Sequence, residues 1–251
     1  MSASRQHILG ALRRSLQRDQ PGAEERKQLE ARLADPQAGL VPARGQRPHA
    51  EQLDLMEEML RELAATVVRL DDADQVPQAV ADYLKGENLP PQVRLAPRGD
   101  LRALPWSDQP LLEVTEGPAR EPDTTAVTGA FAGIAETGTL MMASGPEAPV
   151  TLNFLPENHI VVLRGSQVVG AYEEAWAQLR RRFGSGAMPR AVNMITGPSR
   201  TGDIEQTIQL GAHGPRRLHV LLIDDAHSSG ASPDGVNGGS VNGDGSDGPQ
   251  A

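Results

Sequence analysis

The N-terminal part of the chain has the apolar spacing of amphipathic helices. One stripe consists of Ile8, Leu9, Leu12 and Leu16. A second stripe consists of Leu53, Met56, Leu60, Leu63 and Val67. Both follow the 3.6-residue period of a helix, and a more polar helix is predicted between them at residues 23–33. Three prolines and two glycines between Asp35 and Pro48 predict a linker. Residues 1–48 are therefore expected to form a helical arm that packs on its own domain or on another protein.

From Thr66 onward, short apolar runs alternate with helical segments. The predicted strands are Thr66–Leu70, Val93–Ala96, Leu111–Val114, Ala126–Ala130, Thr139–Ala143, Ile160–Leu163, Ala191–Ile195 and Leu218–Ile223. The predicted helices between them are Asp74–Lys85, Tyr172–Phe183 and Asp203–Leu210. This alternation predicts an α/β domain at residues 49–225, with a mostly parallel sheet flanked by helices.

Two parts of the chain depart from this alternation. The runs 126–130 and 139–143 are too close for a parallel crossover, so we expect them to pair antiparallel. Residues 226–251 consist mostly of Gly, Ser, Asp, Asn and Pro, a composition that predicts a disordered tail.

Composition narrows the class of protein. The formal charge is −9, which argues against non-specific binding to nucleic acid. The chain has no cysteine, so it can hold neither a disulfide nor a cysteine-ligated iron–sulfur cluster, and other cofactors stay open. No apolar run reaches the length of a membrane span, and the N-terminus lacks a signal-peptide core. A cytoplasmic location is therefore expected.

The first polar cluster surrounds Glu136. This residue is the only charge between Ala126 and Gly145. A carboxylate in apolar surroundings can serve as a general acid, a general base or a nucleophile, so Glu136 is the candidate catalytic residue. The alternative is a glutamate that accepts backbone N–H bonds and fixes a tight turn. The adjacent Thr137 is a candidate binding residue.

Two further clusters follow predicted strands. Ser144 and Gly145 come after Thr139–Ala143 and could bind an anion at a helix start, although an ordinary helix start is the competing explanation. The third cluster follows Ala191–Ile195 and comprises Thr196, Gly197, Ser199, Arg200 and Thr201. Because ligands of open α/β sheets bind at the carboxyl ends of strands, we expect this loop to bind a small carboxylate or another anion there. Capping of the next helix is the alternative.

The positions of the histidines indicate structural roles rather than catalytic or metal-binding ones. His213 is followed by Gly214 and Pro215 in the return to the last strand, so it is expected in a turn at the opposite edge of the sheet. His159 begins a strand, where a single histidine is usually hydrogen-bonded. Neither HxH nor HExxH spacing occurs, so no metal site is predicted.

Three segments together resemble the LUD-domain family. They are Ala135-Glu-Thr-Gly-Thr-Leu, Pro156-Glu-Asn-His-Ile-Val-Val-Leu, and Ile195-Thr-Gly-Pro-Ser-Arg-Thr-Gly-Asp-Ile-Glu with His213-Gly-Pro-Arg-Arg-Leu-His-Val. The resemblance covers about Leu53 to Asp225. It implies a fold like that of glucosamine-6-phosphate deaminase, ribose-5-phosphate isomerase and CoA-transferases. It also implies a cytoplasmic role in oxidising L-lactate to pyruvate, with partner proteins that carry iron–sulfur clusters.

Three functional hypotheses follow. The chain is a non-cluster subunit of a lactate-oxidising system, and its strand-end pocket binds a small carboxylate, a cofactor or a partner segment. Alternatively, it is a free-standing enzyme of the CoA-transferase-like fold that acts on a small anionic substrate, with Glu136 as the reactive group. In the third hypothesis it is an assembly or regulatory protein without chemistry of its own.

Overall fold

A computed structural model of the chain describes residues 3–17, 20–184, 186–201, 209–211 and 213–225. Its helices are α1 (Ala3–Leu16), α2 (Ala23–Ala34), α3 (His49–Glu62), α4 (Val76–Gly86), α5 (Gly99–Arg102) and α6 (Tyr172–Phe183). Its strands are β1 (Thr66–Leu70), β2 (Gln92–Leu95), β3 (Glu113–Glu116), β4 (Thr125–Gly129), β5 (Ala132–Ile134), β6 (Thr139–Ala143), β7 (Asn158–Arg164), β8 (Val168–Val169), β9 (Val192–Ile195), β10 (Arg200–Thr201), β11 (Gln209–Leu210) and β12 (Arg217–Ile223).

The main sheet is parallel throughout the described residues. Its strand order is β1-β12-β7-β4-β2-β3. The edge strand β1 pairs only with β12, so the first and last strands of the domain lie side by side. The prediction of a mostly parallel α/β sheet flanked by helices is confirmed.

A second sheet has the order β8-β5-β6-β9. The predicted antiparallel pairing of 126–130 with 139–143 is wrong, because β4 belongs to the main sheet and β6 pairs with β5 and β9. The partner strand β5 has only three residues. It reverses into β6 through a short 3-10 turn and Gly138, whose φ of +62° is in the left-handed region that glycine tolerates best.

The domain is layered around these two sheets. Helices α4 and α5 cover one face of the main sheet, with Val80, Leu84 and Leu101 fully or almost fully buried. The other face packs against α3 and the second sheet. The outer face of the second sheet is covered by α6 through Ala175 and Leu179. Side chains of β6 therefore alternate between the main sheet and α6, as strand geometry requires.

The apolar stripe of α3 packs inside its own domain. Leu53, Met56 and Leu60 are buried against the main sheet, and burial of each side chain stabilises the fold by about 1.5–3 kcal/mol. Val67 is not part of this helix. The chain leaves α3 through Ala64, which has a φ of +62°, and Val67 then lies in β1.

The N-terminal arm buries fewer of its side chains than α3 does. Helix α2 has no buried residue, and Ile8, Leu12 and Leu16 on α1 are exposed. The predicted linker makes a tight contact near its end, where Gly45 is buried against Gly170 and Ala171.

Two predictions concern residues that are wholly or partly undescribed. Residues 203–208 of the predicted helix Asp203–Leu210 lie outside the described residues, but its expected end is wrong because Gln209–Leu210 form β11. The predicted tail at 226–251 also lies outside the described residues. No helix in the described ranges is long and apolar enough to span a membrane.

Candidate functional site

A cavity of about 850 Å³ opens at the carboxyl ends of β2 and β4. The second sheet closes one side through the end of β6 and the turn that follows it, and the end of α6 lies at the rim. Its polar lining consists of Arg98, Asp100, Thr128, Ser144, Glu147, Asn153, Gln167 and Arg182. This position matches the place where open α/β sheets bind ligands. The volume is within the range of sites that hold small molecules.

Arg98 fixes one wall of the cavity. Its Nη1 donates to the carbonyl oxygens of Gly129 (3.0 Å) and Ala130 (3.3 Å), at the end of β4. Its Nε and Nη2 donate to the two carboxylate oxygens of Asp100 at 3.0 and 2.8 Å. A Cβ on Gly129 would lie 2.6 Å from Nη1, so the close approach of the guanidinium requires glycine. The donors of Arg98 are thus largely committed to the protein.

The same ion pair controls the charge of Asp100. Burial alone would raise the pKa of its carboxyl, but the hydrogen bonds and charge of Arg98 outweigh burial and hold the pKa below its usual value. Asp100 is therefore ionised at neutral pH, and the pair adds no net charge to the cavity.

Sequence reasoning missed Arg98 and Asp100. The available signal was the polar stretch Pro97-Arg98-Gly99-Asp100 directly after a predicted strand. Such a position is expected at the carboxyl edge of a parallel sheet.

Ser144 and Gly145 line the cavity, as a binding role requires. The Ser144 N–H donates to the Ala191 carbonyl at 2.9 Å, and the Ala191 N–H donates to Ser144 Oγ at 2.8 Å. Gly145 and Ala148 exchange backbone hydrogen bonds of 3.3 and 3.1 Å. The segment is therefore a tight turn, and the expectation that a helix begins at Ser144 is wrong.

A buried histidine lies behind the cavity wall. Nε2 of His159 is 2.7 Å from Oγ1 of Thr128, a residue that lines the cavity. Burial lowers the pKa of His159 to about 4, so its ring is neutral at pH 7. Nδ1 is buried without a hydrogen-bond partner among the described residues. A neutral ring of this kind orients the threonine hydroxyl but is a weak base.

Arg182 supplies positive charge at the rim. Its side chain lines the cavity from the last turn of α6 and forms no ion pair within the described ranges. Among the arginines of the lining, it therefore differs from Arg98, which is paired with Asp100. An anion in the cavity could accept hydrogen bonds from the Arg182 guanidinium.

Glu136 lies away from this cavity and is almost fully buried, with 4% of its surface exposed. Its Oε1 accepts a hydrogen bond of 3.1 Å from the backbone N–H of Tyr172, the first residue of α6. The carboxylate thus caps a helix N-terminus, where negative charge is favourable. The structure shows the contact expected from the alternative interpretation, and a catalytic role stays a prediction.

Thr137 belongs to a cluster of hydroxyl groups beside Glu136. Thr139 Oγ1 lies within hydrogen-bond distance of Thr137 Oγ1 (2.8 Å), Tyr172 Oη (2.9 Å) and Thr196 Oγ1 (2.8 Å). Two predicted binding residues, Thr137 and Thr196, therefore meet through Thr139. This cluster is separate from Ser144 and Gly145.

The loop after β9 does not lie at the carboxyl edge of the main sheet, and that expectation is wrong. The Ser199 N–H donates to the Pro215 carbonyl at 2.8 Å, and Ser199 Oγ accepts from the His213 N–H at 3.3 Å. Both partners precede β12. Arg200 Nη2 donates to the Leu63 carbonyl at 3.1 Å, just before β1. The loop therefore lies at the amino edge.

The reason for this error is that β9 belongs to the second sheet. Gly197 has a φ of +91°, and a Cβ there would lie 2.9 Å from the Leu63 carbonyl oxygen. Thr201 continues with Arg200 into β10, which pairs with β11. The predicted separation of Ser199 from His213 is also wrong, since the two residues are in direct contact.

The candidate residues thus fall into three places. Ser144 and Gly145 line the cavity, Thr137 and Thr196 join the hydroxyl cluster beside Glu136, and the remaining loop residues lie at the amino edge. In the described part of the chain, no group of three or more His, Asp or Glu side chains could hold a metal ion.

Sequence comparison finds similarity to known proteins in the segment that supplies most of the cavity lining. Residues 124–223 match the family model of the LUD domain, which confirms the resemblance seen in the sequence. An uncharacterized protein of Neisseria meningitidis serogroup B is 41% identical over 104 residues, or 41% of this chain and 44% of that protein.

Several relatives carry the name lactate utilization protein C. The protein from Geobacillus thermodenitrificans is 36% identical and that from Bacillus pumilus 39% identical, each over 93 residues. These matches cover 37% of this chain and 39% of each relative. The chain therefore matches about two fifths of the length of these curated relatives.

A solved structure shares the fold. The crystal structure of a DUF162-family protein from Deinococcus radiodurans superimposes with a TM-score of 0.54 at 22% identity. The superposition covers 70% of this chain and 99% of that protein.

Proposed function

We propose that the chain, whose residues 124–223 carry a LUD domain, is a non-cluster component of an L-lactate-utilization system. In this proposal it acts in the cytoplasm with partner subunits that carry iron–sulfur clusters. The relatives named lactate utilization protein C support the pathway. The cavity at the carboxyl edge is the proposed binding site for a small carboxylate or another anion.

The observation that carries the proposal is the make-up of this cavity. Most of its lining comes from the LUD-matched segment. It combines the Thr128 hydroxyl, the backbone turn at Ser144 and Gly145, and the guanidinium of Arg182. The guanidinium of Arg182 suits a carboxylate even though the lining also contains Glu147, because charge-assisted hydrogen bonds are stronger than neutral ones. The volume also leaves room for a cofactor or a partner segment beside lactate.

The absence of cysteine determines which steps this chain and its proposed partner subunits can each perform. Oxidation of L-lactate to pyruvate releases two electrons and two protons. The chain contains no cysteine, so it cannot hold a cysteine-ligated cluster that would accept those electrons. In the proposed system the clusters of the partner subunits accept them, and this chain contributes binding or assembly.

A rescue experiment with matched variants tests the proposal. The gene is deleted in the source organism, and growth is compared on L-lactate and on glucose. Wild-type protein and Arg181→Ala should restore growth on L-lactate, whereas Arg182→Ala should restore it poorly. Arg181 is the control because it is exposed on the same helix and does not line the cavity.

Binding and assembly are measured separately. Calorimetric titration of the full chain with L-lactate and with pyruvate should show binding that Arg182→Ala weakens about tenfold or more, as expected for a lost charge-assisted hydrogen bond. A pull-down of the native protein from lactate-grown cells should recover cysteine-rich partners. Normal growth of the deletion strain on L-lactate, or a pull-down without such partners, would count against the proposed system.

A further inference from the structure

Helix α1 carries an apolar stripe that its own chain leaves open. Ile8, Leu12 and Leu16 lie four residues apart on one face and are 58%, 52% and 66% exposed. Isolated exposed leucines are common, but a continuous apolar face on a surface helix usually marks an interaction site. The stripe is therefore suited to cover an apolar surface.

The same helix has a charge unlike that of the rest of the chain. Helix α1 contains three arginines and no acidic residue, whereas the whole chain has a formal charge of −9. Arg13 lies in the last turn beside the apolar stripe, whereas Arg14, two residues from both Leu12 and Leu16, lies on the opposite face of the helix. The surface that α1 fits must therefore be apolar in its centre and acidic at its border.

A groove with these properties lies on the body of the same protein. It has a volume of about 1000 Å³ and runs along α4 and the free edge of β1. Its apolar lining includes Val68, Leu70, Pro77 and Ala79, and Val68 is 41% exposed. Its acidic lining consists of Asp71, Asp74, Asp82 and Asp108, all exposed. None of these four carboxylates forms an ion pair with another residue of the described ranges.

We propose that α1 of one copy of the chain docks in the α4–β1 groove of a second copy. In the single chain the stripe of α1 is exposed and the groove is open, so the two surfaces do not cover each other. Reciprocal exchange of the two arms forms a closed dimer with two identical contacts, as two-fold symmetry requires. The stripe then covers Val68, and Arg13 at its border faces the aspartates.

A second copy explains both surfaces with one occupant. An anionic lipid surface would attract the arginines of α1 but would leave the groove open, and the aspartates would be repelled by it. A different protein that covered both surfaces would need a basic apolar helix for the groove and an acidic apolar groove for α1. The chain already contains the two complementary surfaces.

Charge reversal with mixing tests the contact directly. One variant reverses the arm at the border of the stripe, Arg13→Glu, and another reverses the groove, Asp74→Lys with Asp82→Lys. Sedimentation velocity over a concentration series should show that each variant alone dimerises about tenfold more weakly than wild type, or worse. An equimolar mixture of the two variants should regain wild-type dimerisation, because both contacts of the mixed dimer join opposite charges.

The controls separate this contact from general effects of charge and folding. Arg26→Glu makes the same charge change on α2 and should leave dimerisation unchanged. Circular dichroism should give the same spectrum for all variants, and recovery in the mixture itself requires folded protein. A wild-type chain that stays monomeric over the series, or a mixture that fails to recover, would overturn the proposal. So would a monomeric wild type that binds vesicles of phosphatidylcholine and phosphatidylglycerol through α1.

Discussion

Two buried histidines make the stability of this domain sensitive to mild acid. His159 bonds to Thr128, while Nδ1 of His219 is 2.7 Å from Oγ1 of Thr66 and its ring stacks on Tyr83. Each ring has a second nitrogen that is buried without a hydrogen-bond partner in the described part of the chain. Burial disfavours the charged ring and lowers the pKa of both histidines from 6.5 to about 4.

These pKa values determine whether acid raises or lowers the free energy of unfolding. Below pH 6.5 the unfolded chain takes up a proton at each site, but the folded chain does not until about pH 4. The contribution of the two histidines to the free energy of unfolding is therefore constant above this window and falls as the pH decreases through it. At about pH 5, each histidine should lower the free energy of unfolding by about 2 kcal/mol, or about 4 kcal/mol together.

Urea unfolding followed by circular dichroism, near neutral pH and at about pH 5, measures this loss. His159→Gln and His219→Gln should each destabilise the protein at neutral pH but remove about half of the pH dependence. Carboxylates with lowered pKa, such as Asp123 and Asp100, respond at lower pH and do not obscure the result. A double variant that loses as much stability on acidification as wild type would refute the reasoning.

Three other substitutions test single contacts. Glu136→Ala should lower the free energy of unfolding by about 1–2 kcal/mol through loss of the helix cap, and Glu136→Gln should lower it less because the amide oxygen still accepts the hydrogen bond. A Glu136→Gln variant that folds normally but fails to restore growth on L-lactate would indicate a catalytic role. Asp123→Ala removes the ion-pair partner of Arg94 in a site where the two side chains are 13% and 14% exposed, and chemical denaturation should show a loss of about 2 kcal/mol, since Arg94 keeps its bond to the Glu116 carbonyl. Gly170→Ala places a methyl group against a neighbouring backbone carbonyl and should cost about 3 kcal/mol in thermal unfolding, whereas Gly86→Ala, with open space around it, should cost nothing.

Much of the fold could be predicted because long buried strands and amphipathic helices leave clear periodicities. The bounds of β1, β6 and α6 were predicted to the residue. The second sheet could not be predicted, since β5 has three residues and β8 has two, too few to show a period. Apolar runs such as β9 look alike in either sheet.

That ambiguity limited the prediction of the site. Assigning β9 to the main sheet placed Ser199 and Arg200 at the wrong edge, whereas β6 ends near the cavity in either arrangement, so Ser144 was found. Arg98 had a local signal, the polar stretch after a predicted strand, but its contact with the Gly129 carbonyl, thirty-one residues later in the chain, could not be predicted. Contacts of this kind leave no local pattern.

The pairing of β1 with β12 has a consequence for how the protein folds during synthesis. Thr66 and His219, which bond across these strands, are 153 residues apart. β12 also fills the place between β1 and β7, so the sheet stays divided until the last strand has left the ribosome. Contacts between residues this distant in sequence slow folding, and strand edges stay unpaired and exposed until these contacts form. Until β12 is available to join the two parts of the sheet, the nascent chain exposes the edges of β1 and β7 that will pair with it.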